Sequence, residues 1–203
     1  MGREAMSDMF VEPDDATPLS PEDKRGLIPS YISTRAELNR EEQRNILEAV
    51  IWAGEKQRDI LSVDALKNLH KRMFGKVWEW AGQFSQVHDR PIGVQPFMIE
   101  PDLRQLVDDV KYWIDHQSYS ADEIAVRFHH RLVFIHPFPN GNGRMSRQAA
   151  DMLIQSLGGE KLPWGRGDLR SANETRRAYI DALRQADQHD FTALILFARS
   201  GEK

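Results

Sequence analysis

Residues 122 to 157 are patterned as two helices joined by a short, glycine-bearing loop, and no other stretch restricts the fold as strongly. On the N-terminal side Ile124, Phe128, Leu132 and Ile135 recur at i, i+4, i+8 and i+11, the spacing that lines one face of a helix. Leu132-Val133-Phe134-Ile135 alone fits a buried strand equally well, but the stripe extends beyond that run and favours helix. On the C-terminal side Met145 to Leu157 is amphipathic. Between them lies His136-Pro137-Phe138-Pro139-Asn140-Gly141-Asn142-Gly143-Arg144, with Arg147 three residues beyond. The loop is therefore held between two packed elements, and the chain is expected to be mainly α.

Composition narrows the setting. The 203 residues suit one domain, or one domain with a tail. A net charge of −4 argues against direct nucleic-acid binding or an anionic-membrane surface, although a local basic cluster can still hold phosphate. Cysteine is absent, which excludes disulfides, thiolate catalysis and cysteine-based zinc sites. No apolar run approaches the ~20 residues of a membrane span and the N-terminus lacks a signal-peptide pattern, so a cytoplasmic setting is expected. The scattered histidines show no ligand spacing such as His-Glu-x-x-His.

Met1 to about Arg25 is rich in Pro, Asp, Glu and Ser, the composition of an extended acidic arm, with Met6 as an alternative start. Residues 26–203 are then the folded domain. Ser33 to Asn39 precedes a long helical pattern through Ile46, Leu47, Val50 and Ile51, and Thr34 with Glu37 has the spacing of a capping box. Leu61, Val63, Leu66, Leu69, Met73, Phe74 and Val77 mark a second helix, closed by Trp78 and Trp80 and ended by Gly82. From Gln83 to Pro101 apolar residues are interspersed with Pro91, Gly93 and Pro96, which reads as a short β-hairpin or ordered loop whose edge can dock an extended peptide. Pro101 then opens a helix running to near His116.

The loop at 136–147 has the makings of an anion site. Gly141 and Gly143 permit close backbone approach, and the loop runs straight into a helix N-terminus, where free amides converge. Arg144 and Arg147 share one face of the first turn and supply charge-assisted bonds suited to phosphate oxygens. Two guanidiniums there oppose the positive end of the helix dipole, a placement that costs stability unless an anion, or a carboxylate from elsewhere in the chain, sits beside them. His136 supplies an imidazole able to take a proton near neutral pH. The third glycine of a dinucleotide fingerprint and the Gly-Lys-Ser/Thr of a P-loop are both missing.

The string His136 to Arg147 resembles the signature of the Fic family, H-x-F-x-[D/E]-G-N-G-R-x-x-R, at every specified position except Asn140. The flanks Leu69-His70, Phe74, Trp80-Ala81-Gly82 and Tyr179 to Leu183 resemble the same domain, from roughly Ser30 to Arg199, and the chain is similar to the small stand-alone branch called mobile mystery protein B. The resemblance implies a mainly α, compact helical bundle with a short β-hairpin flap that transfers AMP from ATP to a Ser, Thr or Tyr hydroxyl of a target protein. It implies His136 as the base, Phe138 as the loop's anchor, Gly141, Asn142 and Gly143 as the phosphate cradle, and Arg144 and Arg147 as phosphate holders, Arg147 taking the γ-phosphate. The 83–101 segment would be the flap that docks the target. Self-modification and a helix-turn-helix regulatory partner are further implications.

Asn140 stands where the family has an acidic ligand for Mg²⁺ or Mn²⁺, and its neutral amide weakens that role. Ser33 and Glu37, within about 30–40, fit an inhibitory pattern [S/T]-x-x-x-E-[G/N] except at Leu38, which implies that Glu37 pairs with Arg147 and blocks the γ-phosphate position. The capping-box reading of Glu37 stays open beside this. Tyr179, Leu183 and Asp187 align with positions that line the adenine pocket in the family, or simply form a helix packing face. The expected function is an autoinhibited protein adenylyltransferase. The alternatives are a weakly catalytic nucleotide-binding or partner-binding module, because of Asn140, and a Fic enzyme that transfers or removes another phosphate-containing group.

Overall fold

The computed structural model describes residues 24–88, 92–166, 169 and 174–201, so the acidic arm lies almost wholly outside the described residues. Within them run α1 (Arg35–Gly54), α2 (Val63–Phe74), α3 (Pro96–Asp115), α4 (Ala121–Ile135), α5 (Asn142–Ser156), a 3-10 turn (Trp164–Arg166), α6 (Glu174–Ala186) and α7 (Thr192–Arg199).

Helix α4 starts where the Ser120 hydroxyl accepts from Glu123 N, and its apolar stripe Ile124, Phe128, Leu132 and Ile135 is buried, as the spacing requires. These four, with Met145, Ala149 and Leu153 of α5, join side chains of α1, α2 and α3 in one core. The opposite faces, Ala125 and Val126 of α4 with Ala150 and Ile154 of α5, join Tyr179, Phe191, Leu194 and Phe197 in a second. The helix pair is thus a wall shared by two cores, and the loop between its helices sits at the end of that wall. Full burial of each Leu, Ile or Phe contributes about 1.5–3 kcal/mol, so register along the wall is strongly set.

Three sequence expectations are corrected. Helix α2 ends at Gly75, its C-cap, rather than at Gly82. Gly82 serves a later turn instead: its φ is +81° and a Cβ there would lie 2.9 Å from Lys71 Cβ. Helix α3 begins at Pro96, where the missing N–H has no intrahelical partner to lose, and Pro101 lies inside it, sparing only the bond to the carbonyl of exposed Phe97.

The third concerns the β-hairpin of 83–101, which does not form among the described residues; Asp89 to Pro91 lie outside them. The amides that a hairpin ladder needs are committed elsewhere. Ser85 N donates to Pro137 O at 2.9 Å and Val94 N to Ile135 O at 3.2 Å, while the segment from Pro96 onward is helical. The segment before α3 is consequently fastened to the start of the 136–147 loop on both its arms. The β-bridge recorded among the described residues is between Leu27 and Trp78.

Candidate active site

His136 ends α4 in a left-handed conformation, φ 53° and ψ 56°, with its amide donating to Leu132 O at 3.1 Å. For a residue with a side chain this costs about 1 kcal/mol or more, so the surrounding packing must hold it. Phe138, fully buried, supplies that packing, as the resemblance implied. Its ring stacks on His70 with centroids 3.8 Å apart.

His70 itself is a polar pin. Gly82 N donates to its Nδ1 at 2.9 Å, which places the remaining proton on Nε2, and Nε2 donates to Asn140 O at 3.0 Å. Burial brings the pKa of His70 down to about 4 against the opposing effect of the Asn140 bond, and nearby Arg144 adds to the fall. The ring is neutral at pH 7, which that pair of bonds requires.

Asn142 clips the loop rather than facing outward: Phe138 N donates to its Oδ1 at 2.9 Å and its Nδ2 donates to Phe138 O at 2.8 Å. Gly141 must be glycine, because its φ is +78° and a Cβ would meet Phe74 Cζ at 2.5 Å. At Gly143 the nearest atom to a built Cβ is Arg147 Nη1 at 3.7 Å, so that site has room. Gly141 caps α5 without any side-chain bond, leaving the helix's first amides directed at the cavity beside the loop. Asn140 turns its Oδ1 inward, accepting from Gly141 N at 2.6 Å.

That cavity is about 410 Å³ and is lined by His136, the 139–144 loop, Arg147, Arg176, Tyr179 and Leu183. The structure therefore brings together His136, Asn140, Gly141, Asn142, Gly143, Arg144, Arg147, Tyr179 and Leu183. Asp187 is not in the lining; its Oδ1 pairs with His130 Nε2 at 2.8 Å.

The two arginines differ. Arg144 Nη1 donates to Glu42 Oε2 at 2.5 Å and its guanidinium lies 4.8 Å over the Phe74 ring, while the other Glu42 oxygen accepts from Trp78 Nε1 at 2.7 Å. Arg147 lies over Tyr179, 5.8 Å from the ring centroid, and bonds to its hydroxyl; the Asp151 carboxylate a turn further on acts on it electrostatically, without a direct ion pair among the described residues. Glu37 is not paired with it. The Glu37 carboxylate accepts from Ser33 N at 2.8 Å, Ser33 Oγ at 2.9 Å and Thr34 N at 3.1 Å, bonds that pull its pKa down to about 2, and the full capping box is present.

Sequence reasoning missed several residues that shape the site. Glu42 is one of several charged residues in the α1 pattern with nothing to single it out, and His70 stands only as a flank of the motif. His129, buried on α4, is hydrogen-bonded through Nε2 to the Tyr179 hydroxyl at 3.0 Å and packs on Trp164. Burial, with Arg147 contributing, holds its pKa well below the usual histidine range. Its position on the apolar stripe's edge gave no signal of that partnership.

Residues 60–154 match the profile of the Fic/DOC family. These residues are thus similar to a Fic/DOC domain. The chain's Fic segment is similar to protein adenylyltransferase fic-1 of Caenorhabditis elegans, 29% identical over 106 residues, which is 51% of this chain and 21% of the relative. Protein adenylyltransferase Fic of Aedes aegypti is 26% identical over 147 residues, 70% of this chain and 28% of the relative. Protein adenylyltransferase VbhT of Bartonella schoenbuchensis is 29% identical over 126 residues, 59% and 26% respectively. The chain thus spans about a quarter of the length of these curated relatives. Among solved structures, the BepC protein of Bartonella tribocorum with bound AMPPNP superposes with a TM-score of 0.65 at 19% identity, covering 87% of this chain and 95% of that one. Fic-1 of C. elegans gives 0.59 at 21% identity, covering 89% and 54%. The Fic fold is shared, without a β-sheet among the described residues. No described helix is long and apolar enough to cross a membrane.

Proposed function

We propose that this chain is a protein adenylyltransferase that moves AMP from ATP to a hydroxyl of a target protein. The observation that carries the reading is Arg147, a half-buried guanidinium at a helix N-terminus, in no direct ion pair among the described residues and facing a cavity that also holds His136. Such a cation is stabilised when an anion fills the cavity. The triphosphate would lie along the first amides of α5 and the two arginines, with the base against Tyr179 and Leu183. His136 takes the proton of the target hydroxyl as its oxygen bonds to the α-phosphorus; the bond to the β-phosphate oxygen breaks and pyrophosphate leaves. The target segment would dock along 83–101, which its bonds to Pro137 and Ile135 hold beside His136.

A Mg²⁺ or Mn²⁺ ion would neutralise phosphate charge. Asn140, at the position the family gives to an acidic ligand, would offer it an oxygen, and no group of three or more His, Asp or Glu suited to a metal exists among the described residues. The ion would therefore be held mainly by the nucleotide. Because Asn140 Oδ1 already accepts from Gly141 N, a second reading stands beside the first, a nucleotide-binding module with feeble transfer.

Autoinhibition through Ser33 and Glu37 belongs to the proposal. To reach Arg147, Glu37 must leave its capping box, so the block would be a second conformation of the first turn of α1. Incubation of wild type, Glu37→Gly and His136→Ala with α-labelled ATP, Mg²⁺ or Mn²⁺ and lysate tests these readings together. Label on protein that rises with Glu37→Gly and disappears with His136→Ala supports transfer and its inhibition. ATP binding without label in any variant favours the module, and label from the γ- but not the α-phosphate points to phosphoryl transfer.

A further inference from the structure

Beyond Arg144 and Arg147 lies a second cavity of about 520 Å³, between α1 and the Trp164–Arg166 turn. It shares both arginines and Leu169 with the cavity around His136, so the two spaces meet at the guanidiniums. Its walls are apolar, with Ile46, Leu47 and Val50 on one side and Leu162 and Trp164 on the other. Its polar lining beyond the two arginines is Gln43, Arg166 and one carboxylate. Asp151, a turn after Arg147 on α5, receives Leu162 N at 3.3 Å and Trp164 Nε1 at 3.0 Å on its Oδ1, which leaves Oδ2 for a donor in the cavity.

Cations at the inner end, apolar walls with one indole and a single carboxylate oxygen are the composition of a site for a nucleoside whose base carries an exocyclic amine. A lone terminal phosphate would use only the inner end. The volume is within the roughly 300–1,000 Å³ of small-molecule sites and larger than that of the neighbouring cavity.

We propose that this cavity receives the distal nucleoside of a dinucleoside polyphosphate, so that donors with an esterified terminal phosphate deliver AMP as well as ATP does. The inference rests on the reading of the His136 cavity as the AMP-donor site. With diadenosine tetraphosphate the target oxygen bonds to the phosphorus nearest the first adenosine, the bond from that phosphorus to the bridging oxygen breaks, and His136 takes the hydroxyl proton. ATP then leaves, its phosphates on Arg144 and Arg147 and its nucleoside in the second cavity.

The test compares ATP with diadenosine tetraphosphate on the full chain, by calorimetric affinity and by AMP transfer, in wild type and Leu47→Trp. Leu47 is 59% exposed at the rim, so the indole fills the second cavity without entering the core. Wild type is expected to bind the dinucleotide at least tenfold more tightly than ATP; Leu47→Trp should erase that preference and leave the ATP affinity unchanged. Equal affinities in wild type, or equal weakening of both donors by Leu47→Trp, overturn the proposal. A retained preference without transfer from either donor, in the Glu37→Gly background as well, supports the second cavity and sinks the transferase reading. Transfer from ATP with no dinucleotide preference does the reverse.

Discussion

His70→Gln should change how stability depends on pH, in a direction that follows from the pin it forms under the loop. Glutamine keeps one donor and one acceptor but does not titrate. In the wild-type fold the imidazole is buried and its pKa is about 4, against an ordinary value near 6.5. Between those values the unfolded chain binds a proton at this residue and the folded one does not, so wild-type stability rises with pH from about 4 to about 6.5 and is lost as pH falls through that window. At about 1.4 kcal/mol per pKa unit, the gap is worth about 3 kcal/mol. The variant loses the ring stacked at 3.8 Å on Phe138 and should be less stable at pH 7 by about 1–3 kcal/mol. Urea unfolding of both proteins at several pH values from 4 to 7 gives the difference curve, in which other titrating groups cancel. The gap between them should close by about 3 kcal/mol on acidification; a gap that stays constant from pH 7 to 4 would refute a neutral, buried His70.

Asp151 should act in the opposite sense. Burial raises its pKa to about 6 in spite of the bonds from Trp164 and Leu162, so charging it costs folded-state stability as pH rises from about 4 through 6. Asp151→Asn, which can still accept both bonds, should raise stability at pH 7 by up to about 3 kcal/mol and flatten that window in the same unfolding series. Gly141→Ala should cost about 3 kcal/mol or more, from its positive φ and the clash with Phe74, whereas Gly143→Ala should stay within about 1 kcal/mol; thermal melts distinguish them. Glu42→Gln strands a guanidinium that is 21% exposed and should cost about 2–3 kcal/mol. ATP supplies a replacement anion, so it should raise the Tm of Glu42→Gln more than that of wild type.

The helix pair flanking the loop was legible because its signal is local: α4 ends at Ile135 as the stripe predicts, and α5 begins three residues before Met145. Phe138 and the glycines followed from the motif. The 83–101 segment was misread because Pro and Gly punctuation fits a hairpin and a tethered loop alike, and the carbonyls that take its amides belong to residues about forty to fifty positions downstream. Glu37 shows the same limit from the other side. The purely local reading, a capping box, is the conformation present, while the anticipated counter-ion for the loop arginines is found five residues later, at Glu42, and on Arg144 rather than Arg147. Nothing in the pattern of α1 separates those carboxylates; only the packing of Trp78 against Glu42 does.

The wall shared by two cores has a consequence for cooperativity. Since α4 and α5 contribute one face to each core, neither core can open without stripping a face of the same two helices. Local openings on either side should therefore be coupled, and the slowest amide hydrogen exchange should fall on α4 and α5 together. A ligand seated at the end of the wall, touching Arg144 on one side and Tyr179 on the other, would slow exchange in both halves at once, including amides it does not touch.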